Sequence, residues 1–481
     1  MDRQAFDLTR RRFVTVTGGA LAVTGLGLTS GCRDTARTFD VGALEQAIGR
    51  KVITPGDRSA YDGARFIWNA LPDHRPAAIV PCSSAKQVAD CVRFAREQGV
   101  SIAIKSGGHH VAGFALADGG LTIDVSEMNA IKVDPATSRV TAGPAARVGE
   151  LCLATEPHRL VVPTAACSTV GIGGMTTGGG EGMMSEFGLS ADCLVSAEIV
   201  TADGRIRRVS RAAEPDLFWA IRGGGGNFGV VTSFEFQAHP LPELSVGMLA
   251  YPLPLAKVAG LKWRDHVASA APDLTSGCAF VRRPMPAMGI LAKYGRPKEE
   301  AEAAFADMKA LTPALQASIR PVTLTELQGL NDMGNESGGR YFAYSHFAQT
   351  LAPEVFDLCR SAIEAAPSDG ASIVILTRSS GVTGKSVDAT AFPHRGTRFS
   401  LLAQTRWDDT GADAKNIRWV KDWWQAMLPH MSGAIYNNYV SDTGPDVVSR
   451  CYGPNLSRLA AIKRRYDPTN IFSSTVNILP A

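Results

Sequence analysis

Side chains with nucleophilic chemistry stand inside glycine-rich turns at two places in this chain. His109 and His110 lie in Ser106-Gly107-Gly108-His109-His110-Val111-Ala112-Gly113, and Cys167 heads Cys167-Ser168-Thr169-Val170-Gly171-Ile172-Gly173-Gly174. Two further clusters follow, Gly178-Gly179-Gly180-Glu181-Gly182 and Arg222-Gly223-Gly224-Gly225-Gly226-Asn227-Phe228-Gly229. Glycines lack a Cβ, so successive backbone N–H groups can turn toward one anion and form a nest for a pyrophosphate. None of the clusters ends in the Gly-Lys-Ser/Thr of a Walker A loop, and none has the GxGxxG spacing of a dinucleotide turn. Taken singly, each is also a tight turn, His109 a turn histidine and Cys167 a small buried hydrophobe.

The elements that must position these turns alternate between strand and helix. Ala77-Ala78-Ile79-Val80 is a short apolar strand ended by Pro81. Ser83 and Ser84 can cap a helix whose apolar face is Val88, Cys91, Val92 and Ala95, and Gly99 ends it. Ile102 and Ile104 alternate into a second strand that runs straight into the first glycine turn, the placement of a cofactor site at strand ends. Further strands are expected at Leu121 to Val125, Ile131 to Val133, Ala197 to Thr201 and Val230 to Phe236. The glycine clusters stop at His239-Pro240-Leu241-Pro242, and a middle domain, residues 243–430, follows. It holds helices such as Lys298 to Leu311 and strands such as Ser372 to Thr377 and Phe399 to Arg406. The last fifty or so residues are turn-rich, with a helix near Leu456 to Arg465.

The 481 residues carry a net charge of +3 and no Lys/Arg block beyond the first dozen, which excludes a nucleic-acid footprint. With 45% apolar residues the chain can fill one or two large cores, so it is not a disordered protein. Its nine cysteines form no CxxC pair and no zinc-type Cys/His spacing, so no metal is expected. Arg10, Arg11 and Arg12 precede an uncharged run from Phe13 to Cys32, the layout of an export signal. Thr9-Arg10-Arg11-Arg12-Phe13-Val14 resembles a twin-arginine motif, which implies the twin-arginine export machinery as a partner and a destination outside the cytoplasm. Leu28-Thr29-Ser30-Gly31-Cys32 resembles a lipoprotein cleavage site and would allow a lipid anchor at Cys32, although Thr29 replaces the usual large aliphatic residue.

Residues from about Arg75 to Pro240 resemble the FAD-binding domain of the vanillyl-alcohol-oxidase class, and within it the berberine-bridge-enzyme-like oxidases. The resemblance rests on the first, second and last glycine motifs, on Gly188-Leu189-Ser190-Ala191-Asp192, Val200-Thr201-Ala202-Asp203-Gly204 and Asp216-Leu217-Phe218-Trp219. It continues in Phe392-Pro393-His394-Arg395, Tyr436-Asn437-Asn438-Tyr439, Cys451-Tyr452-Gly453, Tyr466-Asp467-Pro468-Thr469-Asn470 and Asn477-Ile478. Met175 and Ser168 depart from it, standing where histidine and proline are common. It implies an α+β fold: a two-subdomain FAD-binding domain of the PCMH type over residues 45–242, and a substrate domain over 243–430 with an antiparallel sheet covered by helices. Residues 431–481 would return to the FAD domain, and 1–32 form the signal segment.

The resemblance further implies FAD held by two covalent bonds, from His109 to the 8α-methyl and from Cys167 to C6 of the isoalloxazine. Both bonds need a nucleophile, and a neutral imidazole and a thiolate can serve near pH 7. The remaining cofactor contacts would come from Ser106, Gly107, Gly108, His110, Gly113, Val170, Gly171, Gly173, Gly174, Gly178, Val200 and Asn477. The expected activity is hydride removal from an alcohol or amine carbon of a small organic substrate, with reoxidation by dioxygen to hydrogen peroxide. Val170 favours an oxidase over a dehydrogenase by analogy with related enzymes, and Tyr436 is the expected base. The rival readings are a dehydrogenase passing electrons to a quinone or protein acceptor, and a non-catalytic flavin-binding protein.

Overall fold

The computed structural model describes residues 40–481, and Asp40–Ala481 forms one unit. The signal segment and Cys32 lie outside the described residues. Short apolar runs near the start make β1 (Ala78–Pro81), β2 (Ile102–Lys105) and β3 (Leu121–Asp124), which pair in parallel in the order β1-β3-β2. The helix Ala85–Gln98 joins β1 to β2. Ser84 Oγ accepts a hydrogen bond from the Gln87 amide at its start, and Gly99 ends it with a left-handed φ of 62°.

A second sheet is antiparallel. It contains β4 (Ile131–Asp134) and β5 (Arg139–Ala142), and after the two-residue β6 (Leu160–Val161) it adds β7 (Leu194–Val200), β8 (Ile206–Ser210) and β9 (Val230–Gln237). The order is β4-β5-β9-β7-β8, while β6 pairs with β10 (His239–Pro240). The glycine clusters are the connections around these two sheets, so strand ends fix where the turns meet.

The third sheet has seven antiparallel strands: β11 (Leu244–Pro252), β12 (Leu274–Val281), β13 (Ala287–Tyr294), β14 (Gln316–Val322), β15 (Arg340–Ala348), β16 (Ser372–Thr377) and β17 (Phe399–Trp407), ordered β14-β11-β13-β12-β16-β17-β15. Burial alternates strictly along β17, with Phe399, Leu401, Ala403, Thr405 and Trp407 inward. The helices Ala256–Ala268, Pro353–Glu364 and Asp413–Met427 cover that face with Trp263, Phe356, Trp419, Val420 and Trp423. The opposite face is left to a cavity. The fold is thus α+β, with a helix-covered antiparallel sheet.

The C-terminal segment returns to the first two sheets through the helix Leu456–Tyr466. Lys463 and Asp467 lie one helical turn apart, both fully buried, with Nζ 2.6 Å from Oδ2. Lys463 Nζ also donates to the carbonyls of Asn227 and Phe472, and Asp467 accepts from the amides of Ile471 and Phe472. Asn227 in turn donates to Val476 O and accepts from the Ile478 amide. The last glycine cluster and the tail are therefore tied by one charge-assisted knot. Among the described residues the eight cysteines are free thiols, no group of His, Cys, Asp and Glu could hold a metal, and no helix is long and apolar enough to cross a membrane.

All three Lys463 donors and both Asp467 carboxylate oxygens are engaged, so removing one member strands the other charge in the interior. Lys463→Met is expected to lower unfolding free energy by about 3–5 kcal/mol in urea titrations. The paired change Lys463→Met with Asp467→Leu removes the bare charge but leaves the Asn227 and Phe472 carbonyls and the Ile471 and Phe472 amides unpaired, so it should not restore the native midpoint. A single variant with the native urea midpoint would show that the knot does not hold the tail.

Candidate active site

The turns meet by backbone contact. A Cβ on Gly107 would lie 2.5 Å from Gly171 N, and one on Gly171 would lie 2.6 Å from Gly107 N. Only two glycines can cross so closely, and the crossing stacks the His109 turn on the Cys167 turn. Gly173 is held in the same way against Pro144 O, to which Ser106 Oγ donates at 2.6 Å. The result is one wall of a cavity of about 760 Å³, whose other wall is the open face of the seven-stranded sheet.

Ser106, Gly107, Gly108, His109, His110, Cys167, Val170, Gly171, Gly173, Gly174 and Tyr436 all line this cavity. Four other residues singled out in the sequence do not line it. Gly113 faces Pro72 and His74, Gly178 makes room for the Asn438 amide, and Val200 ends β7 fully buried. Asn477 sits among the tail residues with a buried Oδ1 that has no partner.

His109 and Cys167 share one partner that the sequence reading passed over. His109 Nε2 lies 2.8 Å from Thr169 Oγ1, and Cys167 Sγ lies 3.3 Å from the same oxygen. The His109 ring stacks on Trp68 at 4.6 Å between centroids. Burial, helped by the nearby Arg147 charge, lowers its pKa to about 4, so the ring is neutral at pH 7. His110 differs. Its Nδ1 accepts from the Ala112 amide, so its Nε2 carries the proton that it donates to Asn437 O. Both its nitrogens are spent, which leaves His109 as the histidine with nucleophilic capacity. Cys167 departs from the expected thiolate: burial pushes its thiol up, opposed by Thr169, and Asp332 raises it further.

Tyr436 belongs to no strand. Its main-chain amide donates to Ser345 Oγ on β15, and its hydroxyl oxygen accepts from the Gly180 amide at 2.9 Å and from Asn438 Nδ2 at 3.0 Å. Burial and the Glu181 carboxylate hold the phenol well above its ordinary range, although these donors pull the other way. Glu181 faces the cavity and pairs with Arg378 Nε at 2.6 Å, both almost fully buried. Arg378 lies over the rings of Phe347 and Phe392. Glu181 could have been found as the one acid in a glycine cluster, whereas Trp68 and Arg378 carry no local signal.

A neutral imidazole, a thiol and a phenol on one glycine-lined cavity define a cofactor-dependent oxidoreductase site. The FAD binding domain profile matches residues 76–210, and the berberine and berberine-like profile matches 435–479. An FAD-linked oxidoreductase of Bacillus subtilis is 29% identical, over 89% of this chain and 97% of its own. The crystal structure of 6-hydroxy-D-nicotine oxidase from Arthrobacter nicotinovorans superposes with a TM-score of 0.82 at 28% identity, over 90% of this chain and 98% of its own. The glucooligosaccharide oxidase of Acremonium strictum, described with a 6-S-cysteinyl, 8α-N1-histidyl FAD, superposes with a TM-score of 0.80 at 21% identity, over 92% of this chain and 99% of its own. The chain thus carries an FAD binding domain and a berberine-like C-terminal segment, and the proteins it resembles along its length are FAD-linked oxidoreductases.

The residues present fit FAD. A Cβ on Gly174 would meet nothing within 4 Å, so the turn leaves a cradle open to the cavity. The volume is within the roughly 300–1,000 Å³ of small-molecule and cofactor sites.

Proposed function

We propose that this protein is an exported oxidase that carries FAD bonded to both His109 and Cys167 and removes hydride from an alcohol or amine carbon of a small organic molecule. The observation that carries the reading is the Thr169 hydroxyl shared by His109 and Cys167, on the cavity that Tyr436 also faces. Bound there, FAD accepts the hydride and is reoxidised by dioxygen. The chain's own part begins with attachment. Neutral His109 engages Thr169 through Nε2, which leaves Nδ1 as the bonding atom. The Cys167 thiol must lose its proton before it can bond, and Thr169 is the polar neighbour that favours that loss.

In turnover the substrate C–H bond breaks with its electron pair, and the hydroxyl or amine proton must go to an acceptor within hydrogen-bond reach. Tyr436 is placed for that task, and the Gly180 and Asn438 donors stabilise the phenolate that would accept the proton. Val170 on the cavity wall supports dioxygen as acceptor. The export part rests on the sequence, on the Thr9-Arg10-Arg11-Arg12-Phe13-Val14 motif and the uncharged run from Phe13 to Cys32.

Acid precipitation should leave yellow flavin in the pellet. His109→Ala and Cys167→Ala should each retain one bond, and the double variant should release all FAD. Wild-type flavin found wholly in the supernatant would sink the double attachment.

Anaerobic flavin reduction by a substrate should accelerate with rising pH, because only the phenolate accepts the proton and the phenol is held above its ordinary value of about 10. Tyr436→Phe should slow reduction by roughly 10²-fold or more and flatten this pH dependence, with the flavin spectrum intact. Admitting oxygen afterwards should yield one peroxide per flavin. A wild-type rate in the variant would exclude Tyr436 as the base, and no peroxide would exclude an oxidase.

Changing Arg10 and Arg11 to Lys keeps the charge but loses guanidinium geometry, so export should fail. A variant that still accumulates outside the cytoplasm in normal amount would refute twin-arginine export.

A further inference from the structure

The open face of the seven-stranded sheet forms a continuous surface whose composition can be read row by row. One row crosses five strands in register, from Leu402 on β17 through Val374, Ala279 and Gly289 to Ala250 on β11. All five residues line the cavity. At about 4.8 Å between neighbouring strands the row spans about 19 Å. Its far half is nearly bare of side chains. A Cβ added to Gly289 would meet only Leu249 O, at 3.8 Å, and Ala250 and Ala279 contribute single methyl groups. The row is therefore a shallow trough, apolar from Leu402 to Ala250, with Gln316 beyond Ala250 and Ser372, Ser400 and Gln404 along its flanks.

The trough has a reactive end. Ser345 stands opposite Leu402 across the β15–β17 pairing, and its Oγ accepts the Tyr436 amide. A substrate with its reacting carbon beside Tyr436 can therefore extend its body away along the trough. Charge decides what that body is. Among the lining residues the one side chain with a fixed charge is Glu181, and Arg378 already pairs with it. A protonated amine or a carboxylate entering here would lose water and find no counter-charge, a cost that buried ions escape only when paired. An oligosaccharide would set many hydroxyls over the apolar row itself, where the polar side chains at its edges, such as Gln316 and Gln404, could pair only a few of them.

Resting on the oxidase reading above, we infer that the substrate is an uncharged alcohol on an elongated, mainly apolar ring system. Its carbinol carbon sits at the Tyr436 end and its rings lie along the trough toward β11. The alcohol C–H leaves with its electron pair to FAD, the O–H proton goes to the Tyr436 oxygen, and the product is the matching ketone.

The test uses the flavin-loaded protein and a matched series: alpha-tetralol, its ring-extended analogue tetrahydrophenanthrenol, aminotetralin, a carboxylated tetralol and cellobiose. Anaerobic flavin bleaching gives kcat/KM for reduction, and perturbation of the oxidised flavin spectrum gives binding. The ring-extended alcohol should be preferred to alpha-tetralol by roughly tenfold or more, with the amine, the carboxylate and the sugar at least tenfold below alpha-tetralol. Gly289→Leu fills the bare half of the trough and should collapse the preference of the longer alcohol over the shorter. Val374→Asp should shift the ratio of amine to alcohol at least tenfold toward the amine.

A charged analogue or cellobiose that reduces the flavin as well as the neutral alcohols would overturn the substrate class while leaving the oxidase reading in place. Neutral alcohols that bind tightest but never bleach the flavin would support the class and sink the oxidase reading. If none of the series binds or bleaches a flavin that dithionite reduces, the inference is wrong.

Discussion

Everything in this site depends on the place where Gly107 and Gly171 pass each other. Any side chain there would occupy the space of the other chain's backbone. The Gly171 side of the crossing is held by the Val148 and Ile172 amides, which donate to Val170 O and Ala146 O, and the Gly107 side by Ser106 Oγ, which donates to Pro144 O. With the two turns held at backbone contact, the side chains two and four residues away have no freedom to separate. That is why His109 and Cys167, distant in sequence, reach one threonine hydroxyl. A hydrogen bond of this kind is worth about 1 kcal/mol and could not hold the turns together alone. The packing of backbone on backbone comes first, and the polar contacts follow from it.

The second constraint is electrostatic. The segment from Glu181 to Asp192 carries three buried carboxylates, and each meets a buried cation from the region beyond residue 243. Glu181 pairs with Arg378, Glu186 with Lys293 and Asp192 with Arg395. Buried pairs of this kind return little net stability over apolar packing, since desolvation consumes most of their attraction. They are demanding about geometry, because a lost partner leaves a bare charge. Three of them on one short segment fix the second glycine cluster against the seven-stranded sheet, and so fix the distance between the two walls of the cavity. The same arrangement pairs Glu181, the one carboxylate on the wall, with Arg378, so no unpaired charge faces the cavity.

The parts legible in the sequence were those with local signals. The helix Ala85–Gln98 announces itself by Ser84 and Gly99, and β1, β2, β16 and β17 by short apolar runs. The glycine motifs identified the core of one cavity wall, the one opposite the seven-stranded sheet. Several strands of the large sheet were not legible for a physical reason: their outer face meets a cavity, not water. Glycine and alanine therefore replace the polar residues that would have completed a period of two, as at Gly277 and Ala279 on β12. Gly113 and Gly178 are glycines for packing reasons, which look the same in a sequence as glycines that face a ligand. Trp68 and Arg378 act through partners far along the chain, so no window of sequence contains both halves of their contacts.

The two constraints together explain how an anionic cofactor can be kept in a cavity without a basic side chain on its wall. Main-chain N–H dipoles in glycine turns can face a pyrophosphate, but they supply partial charges, weaker than an arginine fork. A lysine or arginine on this surface would strengthen the grip, yet it would also leave a full charge facing an apolar trough whenever the anion was not against it. The covalent attachment proposed above would remove that conflict, because retention would then no longer depend on the strength of the electrostatic grip. On this view the neutral lining and the paired nucleophiles solve one problem between them. The glycine crossing holds the cofactor end, and the bare sheet opposite remains free to accept an uncharged substrate.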